Sequence, residues 1–512
     1  MATSNLPKFL SGTLSRVFKS VPCQATLCFL LYYSTLIVSA VPLALLLFYR
    51  FVFSLLLKVV YNGKLKLASG YEAMLASLDS FAQVVNITFF LYVDGHLDIE
   101  SLRKRIATNV LARDEYGKRP YDVLFKSPEE KFGFTCFRDK SDEIDFKNHV
   151  KLCPGVDDPS KIYSEHEFLD AVAKLADYEW DQGKPKWELL VTPRLKREGS
   201  DVISSGIVVK FHHLYGDGIS VAQFLRNCIL DQPAPKLILD PVNPPIPPVS
   251  LFQKFVLALQ IFFLGPYTLL RLFGNECDPV FCEGALTGGK LLGRTKMNIS
   301  LEMMRRIRKF HKCSTQAVLH SAFVGSFEKM AKKKWLKLPD EIIAGVVFAD
   351  FPYPDEYPKN YACFGMEPVS PNIANPAVRL VEFNKCLETL YGRKYALKAS
   401  NIQTALLGLY PAAVIRYSKN FFKHSYSISN VPGIRDVGRI GGNEVGLVFG
   451  VGALFNCNRY HAGVGLYGGS FRIGVIVEAS KIIRNRKELE EWIQEMENEI
   501  RYLDRRAIAV HG

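Results

Sequence analysis

Two adjacent histidines, His212 and His213, are followed by Asp217 and Gly218 in the pattern His-His-x-x-x-Asp-Gly. An imidazole has an ordinary pKa of about 6.5, so it can take a proton from a hydroxyl group and return it at neutral pH. Because side chains alternate between the two faces of a strand, only one of the two histidines can face a given cleft. The motif therefore predicts one histidine that acts as a general base and one that packs inside the protein.

The two residues that end the motif have structural as well as chemical interpretations. Asp217 precedes a predicted helix, where a carboxylate caps free backbone N–H groups and meets the positive end of the helix dipole. We favour this capping role over a direct part in proton transfer, because Asp is a preferred N-cap residue. Gly218 is explained by a tight turn or by close packing against a neighbouring element.

The flanking residues predict the elements that position the motif. Residues 205–211 form a short, nearly continuous apolar run rich in β-branched side chains, which is typical of a buried strand. Residues 218–230 carry Val221, Leu225 and Cys228 at spacings of three and four, which places them on one face of a helix. The motif is therefore expected at a strand-to-helix turn.

The N-terminal segment is apolar enough to enter a membrane. Residues 25–49 contain no charged side chain, and this run exceeds the roughly 20 residues that a bilayer span needs. It is also longer than the apolar part of a cleaved signal peptide, which has about 7 to 15 residues. Pro42 divides the run, and a second apolar stretch follows at 51–57, so a re-entrant hairpin and a single span with an interfacial segment both remain open. Basic residues on both sides leave the orientation undetermined.

The rest of the chain predicts an α/β organisation in two halves. A strand is predicted at 86–93 and a helix at 99–111, and alternating patterns continue to about residue 230. Residues 231–250 contain seven prolines and therefore mark a linker. The apolar stretch 251–273 is interrupted by charged residues, Gly and Pro, so we expect an interfacial or tunnel-capping helix pair rather than a span. The predicted domains are an anchor at 1–66, a first domain at 67–235, a linker and crossover segment at 236–289 and a second domain at 290–512.

Other well-known functional motifs are incomplete or missing in the sequence. Residues 463–468 have the glycine spacing of a dinucleotide-binding loop, but a strand is predicted at 470–478, where that loop requires a helix. The sequence contains no Gly-Lys-Ser/Thr phosphate loop and no Gly-x-Ser-x-Gly nucleophile elbow. The cysteines, including Cys277 and Cys282, lack zinc-site spacing, so we expect free thiols and no metal.

The net charge of +13 comes partly from basic clusters at 305–312 and 329–337. These clusters are either solvated helix faces or surfaces that attract anions, such as lipid headgroups or a phosphate-bearing cofactor. The sequence contains no basic motif with interleaved aromatic residues, so nucleic acid is not an expected partner.

The histidine motif resembles the signature of the CoA-dependent acyltransferase superfamily, which includes chloramphenicol acetyltransferases, carnitine acyltransferases and peptide-synthetase condensation domains. Pro185-Lys186-Trp187 resembles the Pro-Leu-Trp segment of bacterial and plant wax ester synthase/diacylglycerol acyltransferases. The string Ser429-Asn430-Val431-Pro432-Gly433 matches that family residue for residue, and 467–474 resembles its Tyr-Asn-Gly strand. The resemblance covers roughly residues 67–503.

The chain also departs from the family pattern. The family's Asn-Asp pair, which opens a helix early in the second domain, is replaced by Thr315-Gln316, and Lys186 replaces the middle Leu of Pro-Leu-Trp. The long apolar segment at 25–57 is not part of the bacterial pattern. These departures leave the histidine motif intact but put the acceptor alcohol and the efficiency of the reaction in question.

The resemblance implies a fold and a site. The fold would be α/β, with two chloramphenicol-acetyltransferase-like domains that meet at a central tunnel and an additional N-terminal membrane-anchoring helical segment. His213 would be the general base, and His212 and Asp217 would support it as further members of the catalytic motif. Ser429 and Asn430 would donate hydrogen bonds to the thioester oxygen, although a simple turn before Pro432-Gly433 is an equal alternative. With Gly218 they are the expected substrate-binding positions.

The implied activity is transfer of a fatty acyl group from acyl-CoA to a lipid alcohol by a membrane-associated O-acyltransferase. A long-chain alcohol would yield a wax ester, and diacylglycerol would yield triacylglycerol. Acyl-CoA would be a co-substrate, with no bound cofactor, no metal and no nucleic acid. The location would be the endoplasmic reticulum membrane with the catalytic body facing the cytosol, or the plasma membrane. Two alternatives stay open: a weak or inactive protein that binds lipid or acyl-CoA, and acyl transfer to a sterol or an amine.

Overall fold

The computed structural model describes residues 21–68, 70–79, 84–176, 178–235, 237, 250–273, 278–281, 286, 289–349, 353, 358–392, 394–454 and 458–509. Cys277, Cys282 and most of the proline-rich linker lie outside these ranges. The cysteines within the ranges form no disulfide, as predicted.

The strands of the described residues are, in chain order, β1 (Leu65–Leu67), β2 (Asn86–Asp94), β3 (Lys126–Lys131), β4 (Phe134–Asp139), β5 (Val150–Leu152), β6 (Tyr163–Ser164), β7 (Trp187–Lys196), β8 (Ile203–His212), β9 (Lys290–Arg294), β10 (Ile299–Ser300), β11 (Ile342–Ala349), β12 (Ala362–Val369), β13 (Tyr426–Ile434), β14 (Arg439–Ile440), β15 (Asn443–Val451), β16 (Tyr460–Tyr467) and β17 (Ser470–Glu478).

The α-helices are α1 (Val21–Val38), α2 (Ala40–Val60), α3 (Gly70–Ser77), α4 (Ile99–Leu111), α5 (Phe146–His149), α6 (Glu165–Leu175), α7 (Gly218–Phe224), α8 (Leu251–Phe273), α9 (Leu301–His311), α10 (Thr315–Lys333), α11 (Pro376–Gly392), α12 (Lys394–Leu407), α13 (Ala412–Ser418) and α14 (Arg486–Ala509).

Two seven-stranded sheets form the body of the protein. The first sheet has the order β14-β15-β2-β8-β7-β5 with β6 beside β7, and the second has the order β10-β17-β16-β13-β11-β12 with β9 beside β17. Strand β15 comes from the C-terminal half of the chain, yet it pairs antiparallel with β2. The first sheet therefore contains strands on both sides of the predicted linker, and the domain boundaries themselves stay a prediction.

The locally patterned elements form where the sequence predicts them. Strands β2 and β8 and helix α4 cover the predicted segments, and Asp98 caps α4 by accepting from the backbone N–H groups of Glu100 and Ser101. The helix predicted at 218–230 is α7 followed by a π-helical turn, Leu225–Ile229. The glycines of 463–468 lie on β16 and in its hairpin turn to β17, so no helix follows them, as predicted.

Helices α1 and α2 form one nearly continuous apolar helix that is divided at Ser39. The backbone N–H of Ser39 donates to Thr35 and that of Leu43 donates to Ser39, both at 2.9 Å, so helical bonding continues through the division. We predicted the division at Pro42, which instead lies in the first turn of α2, where a missing N–H is tolerated. The C-terminal half of α2 packs on the body through Phe53 and Leu57.

The predicted helix pair at 251–273 is wrong, because these residues form the single helix α8 with Pro266 inside it. Proline has no N–H, so the carbonyl group of Phe262, four residues earlier, loses its helical partner. The hydroxyl of Tyr33 on α1 donates to this carbonyl oxygen at 3.0 Å. A partner from another helix thus allows α8 to continue through the proline.

Within the described part of the chain, two helical segments are long and apolar enough to cross a membrane, judged by length and composition. Ala40–Val60 has a mean hydropathy of 2.2, and Leu251–Leu270 has a mean hydropathy of 1.3. We did not expect the second segment to qualify, but its only charged residue is Lys254.

Several cations of the two basic clusters form ion pairs with the C-terminal helix α14. The pairs are Arg306–Asp504 at 2.8 Å, Lys329–Glu499 at 2.9 Å and Lys333–Glu495 at 3.0 Å. These contacts explain part of the local charge without an external anion, because the cations neutralise carboxylates of which Glu499 and Asp504 are buried.

Candidate active site

A cavity of about 290 Å³ lies between the two sheets. Strands β2, β13, β15 and β16 and helices α3, α7 and α12 contribute most of its wall, which is largely apolar. The polar side chains on the wall include His213, Asp217, Ser400, Thr404, His424, Ser427, Ser429, Asn430 and His461. An apolar cavity with a few polar groups is the usual form of a site for an organic ligand.

His213 follows β8 and lines this cavity. The side-chain amide of Asn360 donates to the backbone oxygen of His213 at 2.9 Å, which leaves Asn360 Oδ1 to accept from His213 Nδ1 at 2.8 Å. This arrangement assigns the proton of the neutral imidazole to Nδ1. His213 Nε2 thus keeps its lone pair, and it has no hydrogen-bond partner among the described residues.

The environment of His213 favours its neutral form. Burial lowers the pKa of His213, and Asp217 and Asn360 offset part of this effect. At neutral pH the imidazole is therefore uncharged and able to accept a proton.

The neighbouring His212 is fully buried, and both of its ring nitrogens are engaged. Its Nε2 bonds the two carboxylate oxygens of Asp79 at 2.9 and 3.0 Å, and its Nδ1 accepts from the backbone N–H of Leu214 at 3.0 Å. Burial lowers the pKa of His212 despite the nearby carboxylate. The structure does not bring His212 to the cavity wall, which agrees with the alternation of side chains along β8.

Asp79, which sequence reasoning missed, links the motif to the Pro-Lys-Trp segment. Lys186 donates to Asp79 at 2.6 Å. Burial alone would raise the pKa of Asp79, but His212 and Lys186 overcome it and lower the pKa well below its ordinary range. Lys186 is the residue that departs from the family pattern, and here it holds the carboxylate that orients His212.

Asp217 is the N-cap of α7, as predicted, and it has a second role. Its Oδ1 accepts from the backbone N–H groups of Ile219 and Ser220, both at 3.1 Å. The carboxylate also accepts from the hydroxyl of Tyr353 at 2.8 Å and from the N–H groups of Tyr361 and Ala362 at 2.9 and 3.0 Å. With five donors around it, Asp217 connects the motif to the C-terminal half of the chain.

Gly218 is required by close packing rather than by an unusual backbone conformation. A Cβ atom at this position would lie 2.6 Å from the side chain of Val431, in the Ser-Asn-Val-Pro-Gly string. The two segments that resemble the family therefore touch each other across the cavity wall.

The Ser-Asn-Val-Pro-Gly string does not form the turn that we kept as an alternative. It lies in β13, between β11 and β16, with a β-bulge between Val431 and Ile434. The Pro-Gly pair is accommodated in the bulge, where a regular ladder of hydrogen bonds is interrupted. Ser429 and Asn430 both line the cavity.

A second polar group on the wall was not predicted. Ser427, on β13, bonds His461 Nδ1 at 2.8 Å and accepts from Asn458 at 2.9 Å. Burial, together with the nearby His424 and His213, lowers the pKa of His461 to about 3. Isolated Ser and His residues on apolar strands carry no sequence signal, because only the parallel pairing of β13 and β16 brings them together.

Thr315 and Gln316, which replace the family's Asn-Asp pair, open α10 as expected. Ser314 caps this helix, and the Gln316 side chain donates to the backbone oxygen of Val347 at 3.2 Å. Neither residue lines the cavity. Within the described ranges, no group of three or more His, Cys, Asp or Glu side chains is arranged to hold a metal ion.

Solved structures share this fold. The wax ester synthase/diacylglycerol acyltransferase from Marinobacter aquaeolei VT8 matches with a TM-score of 0.54 and 13% identity, over 86% of this chain and 100% of that chain. The trichothecene 15-O-acetyltransferase TRI3 from Fusarium sporotrichioides matches with a TM-score of 0.55 and 11% identity, over 86% and 94% of the two chains. The first condensation domain of the CDA synthetase matches with a TM-score of 0.53 and 13% identity, over 86% and 95%. The predicted two-domain fold class is therefore confirmed.

Residues 75–260 match the sequence profile of the wax ester synthase/diacylglycerol acyltransferase catalytic domain. No curated protein matches the chain by sequence. The matched segment contains the histidine motif, Asp79 and the Pro-Lys-Trp segment, so fold and site together define an acyltransferase. In this segment the chain is similar to the wax ester synthase/diacylglycerol acyltransferase family, which the sequence motifs also resemble.

Proposed function

We propose that the protein is a membrane-associated O-acyltransferase that uses acyl-CoA to esterify a lipid alcohol. The acceptor is a long-chain alcohol, which yields a wax ester, or diacylglycerol, which yields triacylglycerol. The observation that carries the proposal is the unpartnered Nε2 of His213 on the wall of an apolar cavity, with Asn360 holding the proton on Nδ1.

In the proposed reaction the acceptor hydroxyl gives its proton to His213 Nε2, and its oxygen forms a bond to the thioester carbonyl carbon. The tetrahedral intermediate then collapses, and its carbon–sulfur bond breaks. The CoA thiolate takes the proton back from His213, so the products are an ester and CoA. No acyl-enzyme is needed, and His213 ends each cycle neutral.

The developing negative charge on the thioester oxygen requires hydrogen-bond donors. Ser429 and Asn430 are our candidates, because both line the cavity and both carry donors. We place Gly218 with Ser429 and Asn430 among the substrate-binding residues. Because Gly218 has no side chain, Val431 and the rest of the Ser-Asn-Val-Pro-Gly segment can pack close to the histidine motif. His212 and Asp217 act by holding the turn that carries His213.

The location follows from the substrates. The apolar helices favour attachment to a membrane, and the supply of acyl-CoA favours the endoplasmic reticulum with the catalytic body in the cytosol. The plasma membrane is an alternative location. We propose no metal, no nucleic acid and no resident cofactor.

The full-length chain in microsomes, supplied with labelled oleoyl-CoA and either hexadecanol or dioleoylglycerol, tests the proposal. We expect ester formation, and we expect His213→Ala to lower the rate by about 10²- to 10⁴-fold, the range typical of a general base. The matched control is His96→Ala, at an exposed histidine, which should keep the wild-type rate.

Equal rates for wild type and His213→Ala would remove His213 from the mechanism. Acyl-CoA binding without any ester would instead favour the lipid-binding alternative, and ester or amide formation only with a sterol or an amine would redefine the acceptor.

A further inference from the structure

Helix α12 separates the cavity from the apolar helices α1 and α8. On one face, Ser400, Thr404 and Leu407 line the cavity. On the adjoining face, Gln403 donates to the hydroxyl of Tyr32 on α1. Ala399 packs beside Gly265 of α8, and a Cβ atom added to Gly265 would lie 3.4 Å from the Cβ atom of Ala399. A single helix therefore stands between the cavity and the segments that are apolar enough to enter a membrane.

The next element, α13 with the turn that follows it, reaches both the cavity and the surface. Ser418 and Phe422 line the cavity. Their chain neighbours Tyr417 and Phe421 are 66% and 43% exposed. Cavity-lining and exposed side chains are thus neighbours in the chain here, so this element extends from the cavity to the protein surface.

The exposed residues beside α13 continue into the apolar surface of α2. Phe132, at the tip of the β3–β4 hairpin, is 75% exposed, and its ring packs on Phe53 of α2 with centroids 5.3 Å apart. The same hairpin tip is joined to α13, because Gly133 accepts from the backbone N–H of Ala412 at 2.8 Å.

The exposed large apolar side chains of these elements define what we call the apolar face: Leu27, Leu30, Leu31, Leu45, Phe48, Phe51, Leu55, Phe132, Leu251, Phe252, Phe255, Phe263, Val414, Tyr417 and Phe421. A soluble monomer rarely exposes so many large apolar side chains on neighbouring elements, and surfaces of this kind mark contacts with a partner or a membrane. The length and hydropathy of α2 and α8 favour lipid acyl chains over a protein as the occupant of this face.

We propose that the cavity opens to the bilayer between α12 and α13, at Ser418 and Phe422, and that the lipid acceptor passes laterally from the membrane into the cavity through this opening. The inference rests on the proposed function and adds the route and the physical state of the acceptor. A lipid that moves directly from bilayer to cavity keeps its acyl chains in apolar surroundings throughout, so it avoids the free-energy cost of exposing its CH₂ groups to water.

The test compares two acceptors of the full-length protein on phosphatidylcholine vesicles: dioleoylglycerol carried in the vesicles and 1-butanol dissolved in the buffer. The first variant combines Tyr417→Asp and Phe421→Asp, which place two charges on the apolar face without touching the cavity. We expect the rate with dioleoylglycerol to fall about tenfold, because charged side chains on a lipid-facing surface oppose its contact with the acyl chains. The rate with butanol should stay unchanged. The matched control combines Tyr116→Asp and Trp335→Asp, at exposed aromatic residues outside the apolar face, and should affect neither acceptor.

A second variant, Ser418→Trp, narrows the proposed opening itself. We expect the ratio of the dioleoylglycerol rate to the butanol rate to fall about tenfold, since a bulky side chain discriminates by acceptor size in this range. An unchanged ratio in both variants would overturn the lateral route while leaving the acyltransferase intact. If wild type forms no ester with either acceptor, the proposed function fails first, so the two failures are distinguishable.

Discussion

At the scale of single residues, the state of His213 is set by Asn360, a residue 147 positions away in the chain. A buried imidazole can present either nitrogen to a substrate, and only a partner on one nitrogen decides which. Because Asn360 engages both the ring and the backbone oxygen of His213, Nε2 is left for the cavity. The asparagine therefore positions the base without touching the substrate.

The pH dependence of the reaction follows from this pair. The base works in its neutral form, so kcat/KM should fall as the pH drops through the pKa of His213, and burial places that pKa below the ordinary 6.5. Asn360→Asp puts a carboxylate on Nδ1, stabilises the imidazolium and should move the acidic limb of the profile to higher pH. The control Asn372→Asp, at an exposed asparagine, should leave the profile unchanged. An unmoved limb in Asn360→Asp would show that another group titrates.

At the scale of the elements, the contact between α1 and α8 depends on one hydroxyl. Pro266 frees the carbonyl oxygen of Phe262, and Tyr33 supplies the missing donor. Hydrogen bonds between apolar helices contribute roughly 0.6 to 2 kcal/mol each, and an unsatisfied carbonyl in such surroundings is unfavourable. The proline thus leaves a carbonyl oxygen in α8 that a hydrogen-bond donor on a neighbouring helix satisfies.

Tyr33→Phe should destabilise the packing of α8 by about 1 kcal/mol, seen as faster amide hydrogen exchange over residues 262–270. Pro266→Ala restores the helical N–H that the Phe262 carbonyl lacks. In that background Tyr33→Phe should have a much smaller effect, and additive effects of the two substitutions would contradict the assignment. Tyr49→Phe, at a half-exposed tyrosine on α2, is the control.

At the scale of the whole molecule, Asp217 joins the two halves of the site. It caps α7 in the first half and binds Tyr353, Tyr361 and Ala362 in the second. Strand β15 provides a further connection, because it belongs to the C-terminal half and completes the first sheet. The cavity therefore exists only when both halves are assembled.

Asp217→Ala should lower the stability of the protein far more than the loss of an ordinary helix cap. The substitution leaves several buried donors without an acceptor, so we expect a loss of about 4 kcal/mol. The matched control is Asp98→Ala, which removes the exposed cap of α4 and should lower the stability much less. The midpoint of thermal unfolding measures both, and equal shifts would show that the contacts of Asp217 to the second half contribute little.

The hydrophobic pattern along the sequence predicted those helices and strands whose formation depends mainly on residues within the same segment. The apolar run of β8, the helical spacing of α4 and the capping role of Asp217 all appear in the structure. The helix pair predicted at 251–273 failed, because the donor that lets α8 pass through Pro266 comes from α1, 229 positions earlier. The break expected at Pro42 was misplaced by three residues, since a proline in the first turn of a helix costs little.

The sequence by itself determined the histidine motif, its strand-to-helix setting, the apolar helices and the similarity of residues 75–260 to an acyltransferase catalytic domain, because each depends on residue types at short spacing. Only the tertiary structure decided which histidine faces the cavity, which nitrogen carries its proton, and that Asp79 and Asn360 hold the pair. These contacts join residues more than a hundred positions apart. Strand pairing brings these residues together, and no periodic pattern in the sequence marks them.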